Sequence, residues 1–175
     1  MNKLCYKCDL CMRRHNIVYG AGNTKSYVML IGEAPGYKED KEGIPFIGKS
    51  GQFLRKVLHQ FGYDDIYITN VVKCRPPGNA TPTTREIEIC TKYFLIKELR
   101  YIRPKFIITA GLTASNFFFK ESKSMRELNS NIYDFTNYFI LPVYHPSYII
   151  TNDIEELFIK RFEELDIFIT KNINK

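Results

Sequence analysis

Two kinds of residue in this chain are suited to chemistry. The first is thiol. Cys5 and Cys8 form a C-x-x-C pair, Cys74 closes a β-branched run, and Cys90 lies on a helical pattern further on. Two thiolates from one tight turn and two from elsewhere make a tetrahedral sulfur site for zinc or an iron–sulfur cluster. Sulfur ligation alone does not separate those metals. The second kind is a set of polar clusters: Gly32-Glu33-Ala34-Pro35-Gly36, then Asn70-Val71-Val72-Lys73-Cys74-Arg75-Pro76-Pro77, then His145-Pro146-Ser147. Each follows a short apolar run and ends it with a residue that turns the chain. If those runs are neighbouring parallel strands, the three clusters meet at one edge of a sheet, where ligands of α/β folds bind.

The pattern of elements supports that geometry. Short apolar runs at 27–31, 66–72, 106–110 and 139–144 read as buried strands. Between them, Phe53, Leu54, Val57, Leu58 and Phe61 recur at helical spacing, and Gly62 stands where a helix-ending glycine belongs. Thr83 or Thr84 caps a second helix that passes through Glu86, Cys90, Phe94 and Leu99 and stops before Pro104. Gly111 and Thr113 open a third helix, through Phe119. A tail from Asp153 places Ile154, Leu157, Phe158, Phe162, Leu165 and Phe168 on one side. The Gly- and Pro-rich stretch 32–51 reads as loop, and 122–136 is weakly patterned. Strands alternating with helices predict an α/β fold: a three-layer α/β/α sandwich with a central four-stranded parallel sheet. A single domain over residues 1–175 is expected, since no repeat or linker divides the chain.

Composition narrows the function classes. The chain has 25 Lys and Arg against 19 Asp and Glu, a net charge of +6. That balance favours anionic partners, nucleic acid first. No apolar run is long enough to span a membrane, and the first residues do not form a signal peptide. An intracellular, cytoplasmic chain is expected. There, five cysteines argue for metal binding rather than a disulfide framework. Cys11 extends the first pair to C-x-x-C-x-x-C, but the Cys-Pro that would complete a bacterial ferredoxin motif is absent.

Taken in order, the motifs resemble a family-4 uracil-DNA glycosylase, the iron–sulfur type of that superfamily. The matching text is Cys5-x-x-Cys8-x-Leu10; the Gly32 to Gly36 cluster; Glu39-Asp40; Gly43-x-Pro45-Phe46-Ile47-Gly48-Lys49-x-Gly51; Asn70-x-x-Lys73-Cys74-Arg75-Pro76-Pro77-x-Asn79; Cys90; and His145-Pro146-Ser147. The resemblance implies a [4Fe-4S] cluster on Cys5, Cys8, Cys74 and Cys90, with Cys11 spare. It implies a monofunctional, monomeric enzyme that acts on uracil-containing DNA, single- or double-stranded, and initiates base excision repair.

Such a reaction needs four things once the base leaves the stack. Phe46 supplies a flat face, which the resemblance stacks on uracil beside Gly32 and Ala34. Asn70 supplies an edge reader, because one amide donates and accepts at once. His145 supplies a donor for the negative charge that develops on the base. Glu33 is the first candidate to orient water or stabilise the sugar cation, and Asp40 the second. Gly36 lies where the best-known family of the superfamily has a thymine-excluding Tyr, and by resemblance Glu39 is expected to do that exclusion. Lys49, Lys73, Arg75 and Arg85 are candidates for phosphate contacts, with Ser147 at the DNA face. Tyr148 to Ile150 is a candidate wedge for the gap left by the flipped base. Ala80 stands where the family has Arg, so one basic contact fewer is expected. His15 and His59 read as structural. The rivals are a related glycosylase with another base preference, such as hypoxanthine, and a non-catalytic four-cysteine metal protein that binds nucleic acid or carries electrons.

Overall fold

The computed structural model describes residues 5–119 and 121–173. The expectation about the first four residues lies outside them. In chain order the elements are β1 (Val28–Gly32), α1 (Tyr37–Glu42), α2 (Lys49–Gln60), β2 (Tyr67–Asn70), α3 (Thr84–Cys90), α4 (Ile96–Ile102), β3 (Phe106–Ala110), α5 (Leu112–Asn116), α6 (Met125–Asn129), β4 (Tyr133–Phe135), β5 (Tyr138–Val143), α7 (Pro146–Asn152) and α8 (Glu155–Asn172). A π-helical turn, Thr91–Leu95, joins α3 to α4.

The sheet order is β2-β1-β3-β5-β4. The first four strands are parallel, as expected; β4 adds an antiparallel fifth strand at the edge. The four-stranded expectation is corrected on this point. The sequence hides β4 because it has three residues, none of them buried, joined to β5 across two residues. A strand that short gives no period to read.

Side chains alternate across the sheet. Val28 and Leu30 of β1 face a core with Leu54, Val57 and Leu58 of α2 and Phe158, Phe162, Leu165 and Ile169 of α8. Met29 and Ile31 face a second core with Cys90, Leu95 and Ile102 of the α3–α4 segment, Ala114 of α5, and Leu10, Cys74 and Val72. Both faces are covered, which gives the three layers.

Caps explain several boundaries. Thr83 and Glu86 make a reciprocal capping box at α3. Gly62, at φ +74°, ends the turn after α2. The stretch expected to be all loop contains α1 and the first turn of α2, because Glu39 and Asp40 spend their carboxylates on nearby backbone N–H groups. His145-Pro146-Ser147 is not plain loop: His145 caps α7 and Pro146 takes its first position.

Candidate active site

The strand ends hold the motifs together. Beyond the paired strands, the N–H groups of Val71 and Val72 donate to the carbonyls of Gly32 and Glu33 at 2.8 and 3.0 Å. The Gly111 N–H donates to the Val143 carbonyl at 2.9 Å. The two β1/β2 clusters and the His145 cluster thus lie along one edge of the sheet. They line a single cavity of about 680 Å³, with Glu33, Ala34, Glu39, Phe46, Asn70 and His145 on its walls.

Gly32 is buried and does not itself line the cavity, but it packs against two residues that do. A methyl group on Gly32 would stand 2.5 Å from Asn70 Oδ1 and 2.5 Å from Phe46 Cζ. Only a bare backbone lets the amide and the ring come this close. Asn70 is 2% exposed, yet its side-chain amide has no hydrogen-bond partner among the described residues. Its donor and its acceptor are not sealed in the core: among the described residues the fully buried side-chain polar atom without a partner is Arg161 Nε, and the Asn70 amide opens on the cavity wall.

Phe46 is held in a conformation that a side chain rarely adopts, φ +57°. Arg55 fixes it: Nε donates to the Phe46 carbonyl at 2.9 Å and Nη2 to the Pro45 carbonyl at 3.0 Å. Gly51 lets α2 pass beneath, since a Cβ there would lie 2.3 Å from the Phe46 backbone. Glu39 Oε1 accepts from the N–H groups of Ile47 and Gly48 at 2.9 and 2.7 Å. Its other oxygen would be 2.8 Å from a Cβ on Gly36. Glu39 therefore fastens the Phe46 loop and fills the space where a larger residue at 36 would project.

His145 is partly buried, and its Nδ1 accepts from the Ser147 N–H at 3.2 Å and meets Ser147 Oγ at 2.6 Å. An Nδ1 that accepts leaves the proton on Nε2. Burial holds the ring's pKa below its ordinary 6.5, so the imidazole is neutral at pH 7. Gly111, at φ +92°, leaves room for it; a Cβ there would be 3.1 Å from His145 Cβ. Glu33 Oε2 accepts from Thr113 Oγ1 at 2.5 Å. Thr113 and Arg55 were not singled out as supports of the site. Thr113 could have been, because it begins a helix after β3, at the same sheet edge.

Other candidates divide. Lys49 and Ser147 are exposed on the cavity rim. Arg75 lies beside it, with Nε donating to Asn79 Oδ1 at 2.6 Å and its guanidinium 5.2 Å from the Tyr37 ring. Lys73 does not reach DNA. It is fully buried, and its Nζ donates to Glu98 Oε2 at 2.7 Å and to the Asn70 carbonyl at 2.7 Å. The expectation of a phosphate contact is corrected, because this cation is already spent inside the fold. Asp40 is also removed as a water-orienting candidate. At 1% exposure it accepts from the His15 and Asn16 N–H groups at 2.9 and 3.2 Å and pairs with His15 Nδ1 at 2.8 Å. Of the wedge segment, Ile149 packs in the core, Ile150 lines the cavity, and exposed Tyr148 stacks on Tyr144. Arg85 is exposed on α3, away from the cavity.

The cysteines occupy one neighbourhood on the other face of β2. Cys74 and Cys90 are buried in the same core cluster, with Cys8 packed against it. Arg14 Nη1 donates to Cys74 Sγ at 3.5 Å, and the Lys73 N–H donates to Cys90 Sγ at 3.2 Å. Burial pushes the two thiols up to about 11 and about 12, and the sulfurs of Cys5 and Cys8 act on Cys74 in the same direction. Among the described residues no group of three His, Cys, Asp or Glu side chains is drawn together as a formed metal site. The donor chemistry, four thiols with N–H groups aimed at two of the sulfurs, does suit an iron–sulfur cluster.

A sequence model for the "Uracil DNA glycosylase superfamily" matches residues 19–166. The chain belongs to that superfamily. It is 38% identical over 176 residues to a type-4 uracil-DNA glycosylase of Thermotoga maritima, covering 97% of this chain and 91% of that protein. A type-4 uracil-DNA glycosylase of Archaeoglobus fulgidus is 38% identical over 156 residues, 83% of this chain and 78% of the relative. A third, from Pyrobaculum aerophilum, is 47% identical over 115 residues, 65% of this chain and 58% of its own length. The superfamily match spans β1 through most of α8 and thus includes every residue on the wall of the cavity. Among the described residues, no helix is long and apolar enough to cross a membrane.

Proposed function

We propose that the chain is a monofunctional uracil-DNA glycosylase, which hydrolyses the N-glycosidic bond of deoxyuridine in single- or double-stranded DNA and leaves an abasic site. The observation that carries this reading is the unpaired amide of Asn70, buried against the Phe46 ring in the cavity that also receives His145. An amide that the fold leaves unpaired on a cavity wall is free to pair with a ligand's edge, and only a base of the matching pattern satisfies both of its sides once the cavity is filled. Uracil presents N3–H and O4, which match Oδ1 and Nδ2; cytosine presents the reverse pattern and would leave both sides unpaired.

In the proposed mechanism the flipped base slides over Phe46 and pairs with Asn70. As the N–C1′ bond breaks, negative charge gathers on uracil and positive charge on the sugar. The neutral His145 donates its Nε2–H toward O2 and needs no proton transfer to do so. Glu33, oriented by Thr113, faces the sugar as the carboxylate that orients water or offsets the cation. Glu39 keeps the Phe46 loop closed on the base and narrows the site near Gly36. Lys49, Arg75 and Ser147 meet the strand at the rim.

Cys5, Cys8, Cys74 and Cys90 would hold a [4Fe-4S] cluster, which would supply a cross-link between the N-terminal segment and the loop after β2. The rival class of a non-catalytic metal protein leaves the unpaired amide and the neutral imidazole without a task.

The test is release of free uracil from an oligonucleotide with one dU, alongside dC, dT and hypoxanthine controls. Release from dU alone is expected. Release from none, by protein carrying iron, would return the assignment to the binding or redox class.

A further inference from the structure

Beside the edge strand β2, across the Lys73–Glu98 ion pair from the uracil cavity, the chain forms a second concavity of about 780 Å³. Its walls are largely aromatic, its rim is basic, and Cys5 of the proposed cluster set also lines it. Tyr6 on the N-terminal segment and Tyr101 on α4 are 71% and 76% exposed. Tyr93 is also in the wall, with the Lys7 ammonium 3.9 Å from its ring centroid. Lys97 adds a second cation. The acid here, Glu98, is already neutralised by Lys73 at 2.7 Å. The concavity therefore presents positive charge and open ring faces.

We propose that this concavity is a second nucleic-acid site, which holds single-stranded DNA with bases stacked on Tyr6 and Tyr101 and phosphates at Lys7 and Lys97. Rings so exposed add little to the core. Open ring faces beside lysines match a single strand, whose base faces are free, and not a duplex, whose faces are hidden. The uracil cavity differs: it takes one base and reads its edge. The inference rests on the DNA-substrate reading above. The site adds affinity for long single strands and leaves the chemical step alone.

The deciding variants lie on α4, outside the Cys5–Cys8 segment. Binding of a labelled undamaged oligothymidylate of about twenty nucleotides is measured by fluorescence anisotropy. Uracil release from a dU trinucleotide is measured in parallel. Tyr101→Ala should weaken binding about tenfold, since one base–aromatic stack is worth roughly 1–3 kcal/mol. Tyr101→Trp should restore it, and Lys97→Glu should weaken it and flatten its salt dependence. Trinucleotide excision should be unchanged in all three. Wild-type binding by both Tyr101→Ala and Lys97→Glu would overturn the proposal, as would loss of binding in Lys49→Glu alone. Failure of the wild type to release uracil would count against the glycosylase reading instead, and the binding measurement would still decide this one.

Discussion

At the scale of single residues, the site depends on two groups left uncommitted by the fold, the amide of Asn70 and Nε2–H of His145. His145→Ala should lower the single-turnover rate about a hundredfold or more with binding largely kept, the effect of losing one preorganised donor. Its pH dependence has a definite sign. Burial lowers the ring's pKa below 6.5, so the neutral donor persists as pH falls through 6.5 and is lost only at the lower native value. The pH–rate profile should stay flat through 6.5 on its acid side, and His145→Ala should lack the limb below it. Stability follows the same group. Below 6.5 the unfolded chain takes up a proton that the folded ring refuses, so stability is lost from 6.5 down to the native pKa. Lys73 illustrates what sequence cannot reveal. A lysine in a loop-like Lys-Cys-Arg-Pro motif reads as surface charge, but its neighbour Glu98 comes from a helix 25 residues away. Lys73→Met should destabilise the fold by about 3 kcal/mol, because Glu98 is left without its cation. Urea unfolding measures that, and an unchanged midpoint would count against the pair.

At the scale of elements, α1 couples two parts of the molecule. Its adjacent acids point to different clients: Glu39 to the Phe46 loop, Asp40 to His15 and Asn16 of the cysteine-rich segment. Lys41 Nζ contacts His15 Nε2 at 2.8 Å and completes the chain to Asp40. Asp40→Ala should free the N-terminal segment and speed amide hydrogen exchange over residues 13–18, with a smaller change over 45–48. Equal protection in both segments would contradict the coupling. Gly51→Ala should raise KM more than it lowers kcat, because its Cβ would meet the backbone of Phe46 at 2.3 Å and shift the ring. The strands and long helices were legible because their apolar periods are strong. The residues of α1 were not, since a six-residue helix among glycines has no period to show. Its cause is the destination of two carboxylates, which is a tertiary fact.

At the scale of the whole molecule, a right-ordered sheet turns scattered motifs into one site. The order β2-β1-β3-β5 puts the carboxyl ends of the strands bearing Asn70, Gly32, Gly111 and His145 along one edge. That gathering was readable from strand–loop alternation; the neighbourhood of Cys8, Cys74 and Cys90 was not, and was expected from the C-x-x-C spacing together with the family resemblance. What was not readable is which groups remain unspent, since Asp40 and Lys73 look as available in sequence as Glu33 and Arg75. If the cluster ties the N-terminal segment to the loop after β2, purified protein should carry about four irons and four labile sulfides. Anaerobic removal of iron should lower the melting temperature and leave the far side of the sheet, around α2 and α8, largely intact by hydrogen exchange. The measurement that bears most directly on the account is single-turnover excision from dU and dC oligonucleotides by the wild type and by Asn70→Asp. The account predicts uracil release by the wild type, none from dC, and a narrowed dU-to-dC preference in the variant. Equal dU rates in wild type and variant, with dC still refused, would show that Asn70 does not read the base.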